Sequence, residues 1–96
     1  MRAQTAMQLA TLARYFRLHG EPQRALPFAL RAYEKESTCP PCVDVLSRVE
    51  EDVGDLPAAL RMARRYEAMV QEPKKQQEIR ARLGELERKA EAAEKK

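Results

Sequence analysis

Residues 12–26 read Leu12-Ala13-Arg14-Tyr15-Phe16-Arg17-Leu18-His19-Gly20-Glu21-Pro22-Gln23-Arg24-Ala25-Leu26. Thirty-four positions later, residues 46–60 read Leu46-Ser47-Arg48-Val49-Glu50-Glu51-Asp52-Val53-Gly54-Asp55-Leu56-Pro57-Ala58-Ala59-Leu60. Gly20 falls on Gly54, Leu12 on Leu46, Arg14 on Arg48, Glu21 on Asp55, Ala25 on Ala59 and Leu26 on Leu60. Beyond the window, Ala29 falls on Ala63 and Arg31 on Arg65. Several matched residues are small, which points to repeated close contacts between helices rather than to shared composition. A fixed period of this length marks a chain built from stacked supersecondary units.

Each copy reads as two helices with a break. Leu9, Leu12, Ala13 and Phe16 recur at three- and four-residue steps and mark one helical face. Gly20 ends that helix, because a left-handed residue after a helix carries no Cβ penalty when it is glycine. Pro22 suits the first turn of the next helix, where its missing N–H is not needed. Leu26, Ala29, Leu30 and Tyr33 are expected to form that helix's apolar face, and Pro27 to cost one backbone hydrogen bond with a slight bend. In the second copy Val43, Leu46, Val49 and Val53 precede Gly54. Asp55 is the expected N-cap of a helix starting near Pro57 and carrying Leu60, Ala63 and Met69. After Pro73 a fifth helix, from about 74 to 94, places Ile79, Leu83, Leu86 and Ala90 on one side. Such a helix would cover the last apolar face of an array and turn a polar back to water. Gly84 weakens it by about 1 kcal/mol.

This pattern resembles the tetratricopeptide-repeat family, whose motif is 34 residues of helix–turn–helix with small residues where the helices touch. The residues that carry the resemblance are Leu9, Leu12, Ala13, Phe16, Gly20, Ala25, Leu26 and Ala32, then Val43, Leu46, Ser47, Gly54, Ala59 and Leu60. It covers about residues 5–73, as two copies over about 5–38 and 39–73, with 74–96 as a capping helix ending in charge. The second copy departs from the family in carrying Glu50 where an aromatic is usual and Tyr66 where a small residue is usual. Pro73 closes it about two residues late, and Ser37 stands where the first copy would have its closing proline. The fold implied is all-α: antiparallel hairpins stacked as a short α-solenoid of about five helices.

By the same resemblance, a concave face would be lined by Met7, Ala10, Thr11, Arg14, Arg17 and Leu18 from the first copy. The second would supply Asp44, Val45, Arg48, Glu51 and Asp52. Arg14 and Arg48 occupy equivalent places, and two forked cations beside apolar Ala10, Leu18 and Val45 suit an acidic, amphipathic peptide or helix. Members of the family that grip a terminal carboxylate use lysine and asparagine at positions filled here by Ala10, Arg14 and Val45, so no such clamp is expected. The function implied is a scaffold or adaptor that binds another protein or peptide, or its own copy.

Composition agrees with helices. Ala, Leu, Arg and Glu dominate, aromatics make 5% of the chain and Trp is absent. Ninety-six residues form one small domain or one piece of a larger chain, with a thin core. The net charge of +3 falls wholly in residues 74–96, where Glu78, Glu85, Glu87, Glu91 and Glu94 interrupt the lysines and arginines. Nucleic-acid binding by that segment is a minor alternative, since it has neither an unbroken basic stripe nor stacking aromatics. No apolar run is long enough to span a membrane, and Met1–Thr5 lacks the apolar stretch of a secretory signal. A bacterial cytoplasmic protein fits best; a periplasmic protein or a fragment of a longer array are the other expectations.

No enzyme and no cofactor is expected. Ser37, Ser47, Thr5, Thr11 and Thr38 have no neighbouring histidine to act as base. The one local motif with possible chemistry is Cys39-Pro40-Pro41-Cys42, at the start of the second copy. Three readings stay open: two structural thiols, an internal disulfide, or a bridge to a second chain by disulfide or shared zinc. The bridge would make the protein a dimeriser. Zinc within one chain is not expected, because the only histidine, His19, closes the first helix at the far end from the cysteines.

Overall fold

The computed structural model describes residues 4–94. Met1–Ala3, part of the opening stretch read as lacking a secretory signal, and the last two lysines of the charged C-terminal end lie outside them. The described residues form five α-helices and no strand: α1 (Ala6–Leu18), α2 (Pro22–Lys35), α3 (Pro40–Asp52), α4 (Leu56–Met69) and α5 (Pro73–Glu94). Helices adjacent in sequence pack together throughout, and α1 also packs on α3, so the two hairpins lie side by side. The fold is all-α.

The helix ends follow from local chemistry. Thr5 caps α1 reciprocally with Gln8: the Gln8 N–H donates to Thr5 Oγ1 at 3.1 Å, and the Thr5 N–H donates to Gln8 Oε1 at 2.9 Å. Asp55 caps α4 by accepting from the Ala58 N–H. Both hairpin turns are the same motif. Gly20 and Gly54 adopt φ of +75° and +91°. The next amide reaches back five residues, Glu21 N–H to Phe16 O at 2.8 Å and Asp55 N–H to Glu50 O at 2.9 Å. These are the bonds that satisfy orphan carbonyls at a helix end, and the left-handed residue they need is why glycine recurs after 34 positions.

Small residues let the helices approach. Ala13, Ala25, Ala29 and Ala32 are sealed between α1, α2 and α3, while Ala59 and Ala63 are sealed between α4 and its neighbours. The buried stripe of α2 is therefore Ala25–Ala29–Ala32, with Leu26, Phe28 and Tyr33 packed at its margins. Leu30, expected on that face, lies exposed instead. Its register is one position off the alanine stripe, and alanine wins the close contact because a leucine there would hold the helices apart. Leu9, Leu46 and Val49 join the first cluster, and Ile79, Leu83 and Leu86 of α5 close the second against α4. At the seam between the hairpins, the Arg65 guanidinium donates to Ser37 O and lies over the Tyr33 ring.

Contacts between α5 and α3 are made by long side chains. Arg82 donates to Ser47 Oγ and to Glu51 Oε1, both at 3.0 Å, and Lys89 donates to Glu51 Oε2 at 2.7 Å. The fifth helix is thus held apolar side to α4 and cationic side to α3.

Candidate functional site

The inner faces of α1 and α3 bound a groove of about 360 Å³. It gathers Met7, Ala10, Arg14, Arg17 and Leu18 from α1, and Asp44, Val45 and Arg48 from α3, together with Thr11 and Pro41. Helical periodicity explains the set: on α1 positions 7, 10, 11, 14, 17 and 18 share one face, and 41, 44, 45 and 48 do so on α3. Met7 and Leu18 are exposed at its two ends, while Ala10 and Val45 form its floor. The Thr11 hydroxyl is spent on Met7 O at 2.8 Å.

Two of the groove cations have intramolecular acids. Arg48 Nε donates to Asp44 Oδ1 at 3.1 Å, one helical turn away. Arg17 Nε lies 2.8 Å from Asp52 Oδ2, an ion pair between the ends of α1 and α3 whose N–H is too oblique for a hydrogen bond. Arg14 makes no ion pair among the described residues.

Glu51 and Asp52, expected on this face, are placed elsewhere. Asp52 meets Arg17 at the groove's end, and Glu51 turns toward α5. Burial alone would raise the Glu51 pKa, but the hydrogen bonds from Lys89 and Arg82 outweigh it and leave the carboxyl below its ordinary value. That carboxylate is committed to holding α5.

A second hollow, of about 230 Å³, adjoins the first and shares Asp44 and Arg48 with it. Its other walls are Tyr66 of α4 and Lys75, Glu78, Ile79 and Arg82 of α5. Burial, and then the Asp44 carboxylate, push the Tyr66 hydroxyl above its ordinary pKa, so it remains a donor. Sequence reasoning did not find this half, because α5 has no counterpart in the repeat from which its positions could be transferred. The one available signal was Tyr66 itself, a large side chain at a position expected to be small.

Cys39 and Cys42 are joined by a disulfide within one chain. Cys39 is the N-cap of α3, its sulfur accepting from the Cys42 N–H at 3.3 Å, and both residues are buried. Cys39 Sγ lies 3.7 Å from Met7 Sδ, and Cys42 Sγ 3.7 Å from Ala6 O. The sulfurs therefore sit under the first turn of α1, bonded to each other. Among the described residues, no three His, Cys, Asp or Glu side chains gather as for a metal ion, and no helix is long and apolar enough to cross a membrane.

Set against family models, curated proteins and solved structures, the chain gives no match.

Proposed function

We propose that this protein is a helical-repeat interaction module, similar to the tetratricopeptide-repeat family, that receives an acidic, amphipathic segment of a partner protein in the groove between α1 and α3. The observation that carries this reading is the groove itself. It sets Arg14 and Arg48 on adjacent helices over an apolar floor, with exposed Met7 and Leu18 at the ends. Forked guanidinium groups favour carboxylates, and the exposed apolar ends favour a segment with one greasy side.

A binding role rather than a catalytic one is supported by how the hydroxyls and thiols are used. Ser47 and Thr11 donate to backbone carbonyls, and the two cysteines are paired. A second copy of the chain is the other partner this reading admits. The internal disulfide favours an oxidising compartment, such as a periplasm, over a reducing cytoplasm.

The test is charge reversal in the groove. Arg14→Glu combined with Arg48→Glu should abolish capture of the partner while leaving the helical circular dichroism unchanged, because neither arginine is buried in the core. An unchanged partner affinity in the double variant would remove the groove from the function.

A further inference from the structure

The two hollows are one trough. They share Asp44 and Arg48, so a ligand leaving the α1–α3 groove passes over α3 and arrives against α4 and α5. Three of the trough's cations are already matched: Arg17 with Asp52, Arg48 with Asp44 and Arg82 with Glu51. Arg14 and Lys75 are not, among the described residues. One lies in each hollow, on either side of the Arg48–Asp44 pair.

From this placement we propose that the partner segment is a single helix laid across the trough, with one carboxylate cluster at each end, the first received by Arg14 and the second by Lys75. This rests on the binding role proposed above and specifies its ligand. The span sets the length. α1 and α3 are a packed pair, about 8–10 Å apart, and α5 meets α3 only through long side chains, so the two steps together cover at least roughly 20 Å. A helix bridges that distance with about 13 residues at 1.5 Å each.

Backbone chemistry favours a helix over an extended strand. The trough's walls are helices, whose amides and carbonyls are spent internally away from the ends, so an extended segment would find few backbone partners. A helix satisfies its own. Its middle would lie over the matched Arg48–Asp44 pair, where no further acid is called for, and its apolar side would meet Val45 in one hollow and Ile79 in the other.

The test uses two fluorescent helical peptides of identical composition and about 16 residues, read by polarisation against the full chain. One carries glutamates clustered at both ends and the other carries them at the centre. The end-clustered peptide should bind about five-fold or more tightly. Lys75→Glu should erase that preference, and Lys74→Glu, at a neighbouring lysine outside both hollows, should keep it. The inference is overturned if the two peptides bind alike, or if Lys75→Glu weakens binding no more than Lys74→Glu while Arg14→Glu still weakens it. In those cases the α1–α3 groove survives as the binding site. If neither peptide binds and partner capture ignores the Arg14→Glu, Arg48→Glu double change, the groove reading falls as well.

Discussion

Ser47 Oγ of α3 donates a 2.7 Å hydrogen bond to the carbonyl oxygen of Ala59 in α4. The same oxygen accepts from Arg82 of α5 at 3.0 Å, so one hydroxyl ties three helices. In the first hairpin the equivalent position is Ala13, which is fully buried and small but offers no such bond. The first hairpin is followed by a helix too, but α1 and α3 pack directly, whereas α5 reaches α3 only through long side chains, one of which is anchored on the Ser47 hydroxyl.

Ser47→Ala keeps the size and removes the bond. It should cost about 1 kcal/mol of unfolding free energy, the usual net worth of a buried hydrogen bond. Ser47→Val adds volume where the helices touch and should cost about 1–3 kcal/mol. Urea unfolding followed by circular dichroism would measure both. A Ser47→Val variant as stable as wild type would show that α3 and α4 do not press together here.

Neighbouring carboxylates should act oppositely on pH. Glu50 is pushed to about 7, by burial first and the nearby Asp55 charge second, with Arg61 opposing, and its Oε1 has no hydrogen-bond partner. Since the unfolded value is near 4.5, the folded protein holds this proton over a window in which the unfolded chain has lost it. Stability should therefore fall as pH rises through that window, by at most about 3 kcal/mol. Glu51 is shifted down, so its contribution is present above its unfolded value and is lost as pH falls through the folded one. Denaturation midpoints across pH should show Glu50→Gln losing the decline toward neutral pH and Glu51→Gln losing the decline in acid. A wild-type profile that is flat between about pH 5 and pH 8 would contradict the Glu50 assignment.

The disulfide closes a very short loop, so its effect should be small. With only four residues in the ring, loop-closure entropy gives about 2 kcal/mol at most. Reduction should lower the denaturation midpoint modestly and leave the helical spectrum intact, since a Cys39 thiol can still cap α3. Thiol alkylation and mass measurement before and after reductant would check the bond directly. Two free thiols in protein purified without reductant would show that the pair is not closed.

Much of the fold was legible because backbone rules repeat wherever the sequence repeats. Gly20 and Gly54 announce the same turn, Pro22 and Pro57 the same helix start, and Ala25 and Ala59 the same contact. The groove's α1 and α3 residues were implied by the resemblance to tetratricopeptide repeats. What stayed hidden depends on the one helix without a repeat partner. Glu51 read as part of the concave binding face until α5 placed Arg82 and Lys89 on it, and Tyr66 read as a mismatch until α5 made it a wall of the second hollow. Nor does periodicity reveal whether two cysteines are bonded. Spacing allows it, and only the approach of α1 over the α3 N-terminus shows that the pair is sealed from a second chain.

The same substitution should have opposite signs at two glycines. An added Cβ meets nothing within 4 Å at Gly54 or at Gly84, so neither result can be a clash with a neighbour. At Gly54 the backbone sits at φ +91°, where an L side chain strains against its own carbonyl, and the Asp55-to-Glu50 hydrogen bond depends on that conformation. Gly54→Ala should therefore destabilise by about 1–2 kcal/mol. Gly84 lies inside α5 in ordinary helical backbone. There Gly84→Ala removes conformational freedom from the unfolded chain alone and should stabilise by about 1 kcal/mol. Thermal unfolding of the two variants beside wild type separates these signs. A destabilised Gly84→Ala would mean that α5 is not a continuous helix through residue 84, and its hold on α3 through Arg82 and Lys89 would have to be reconsidered with it.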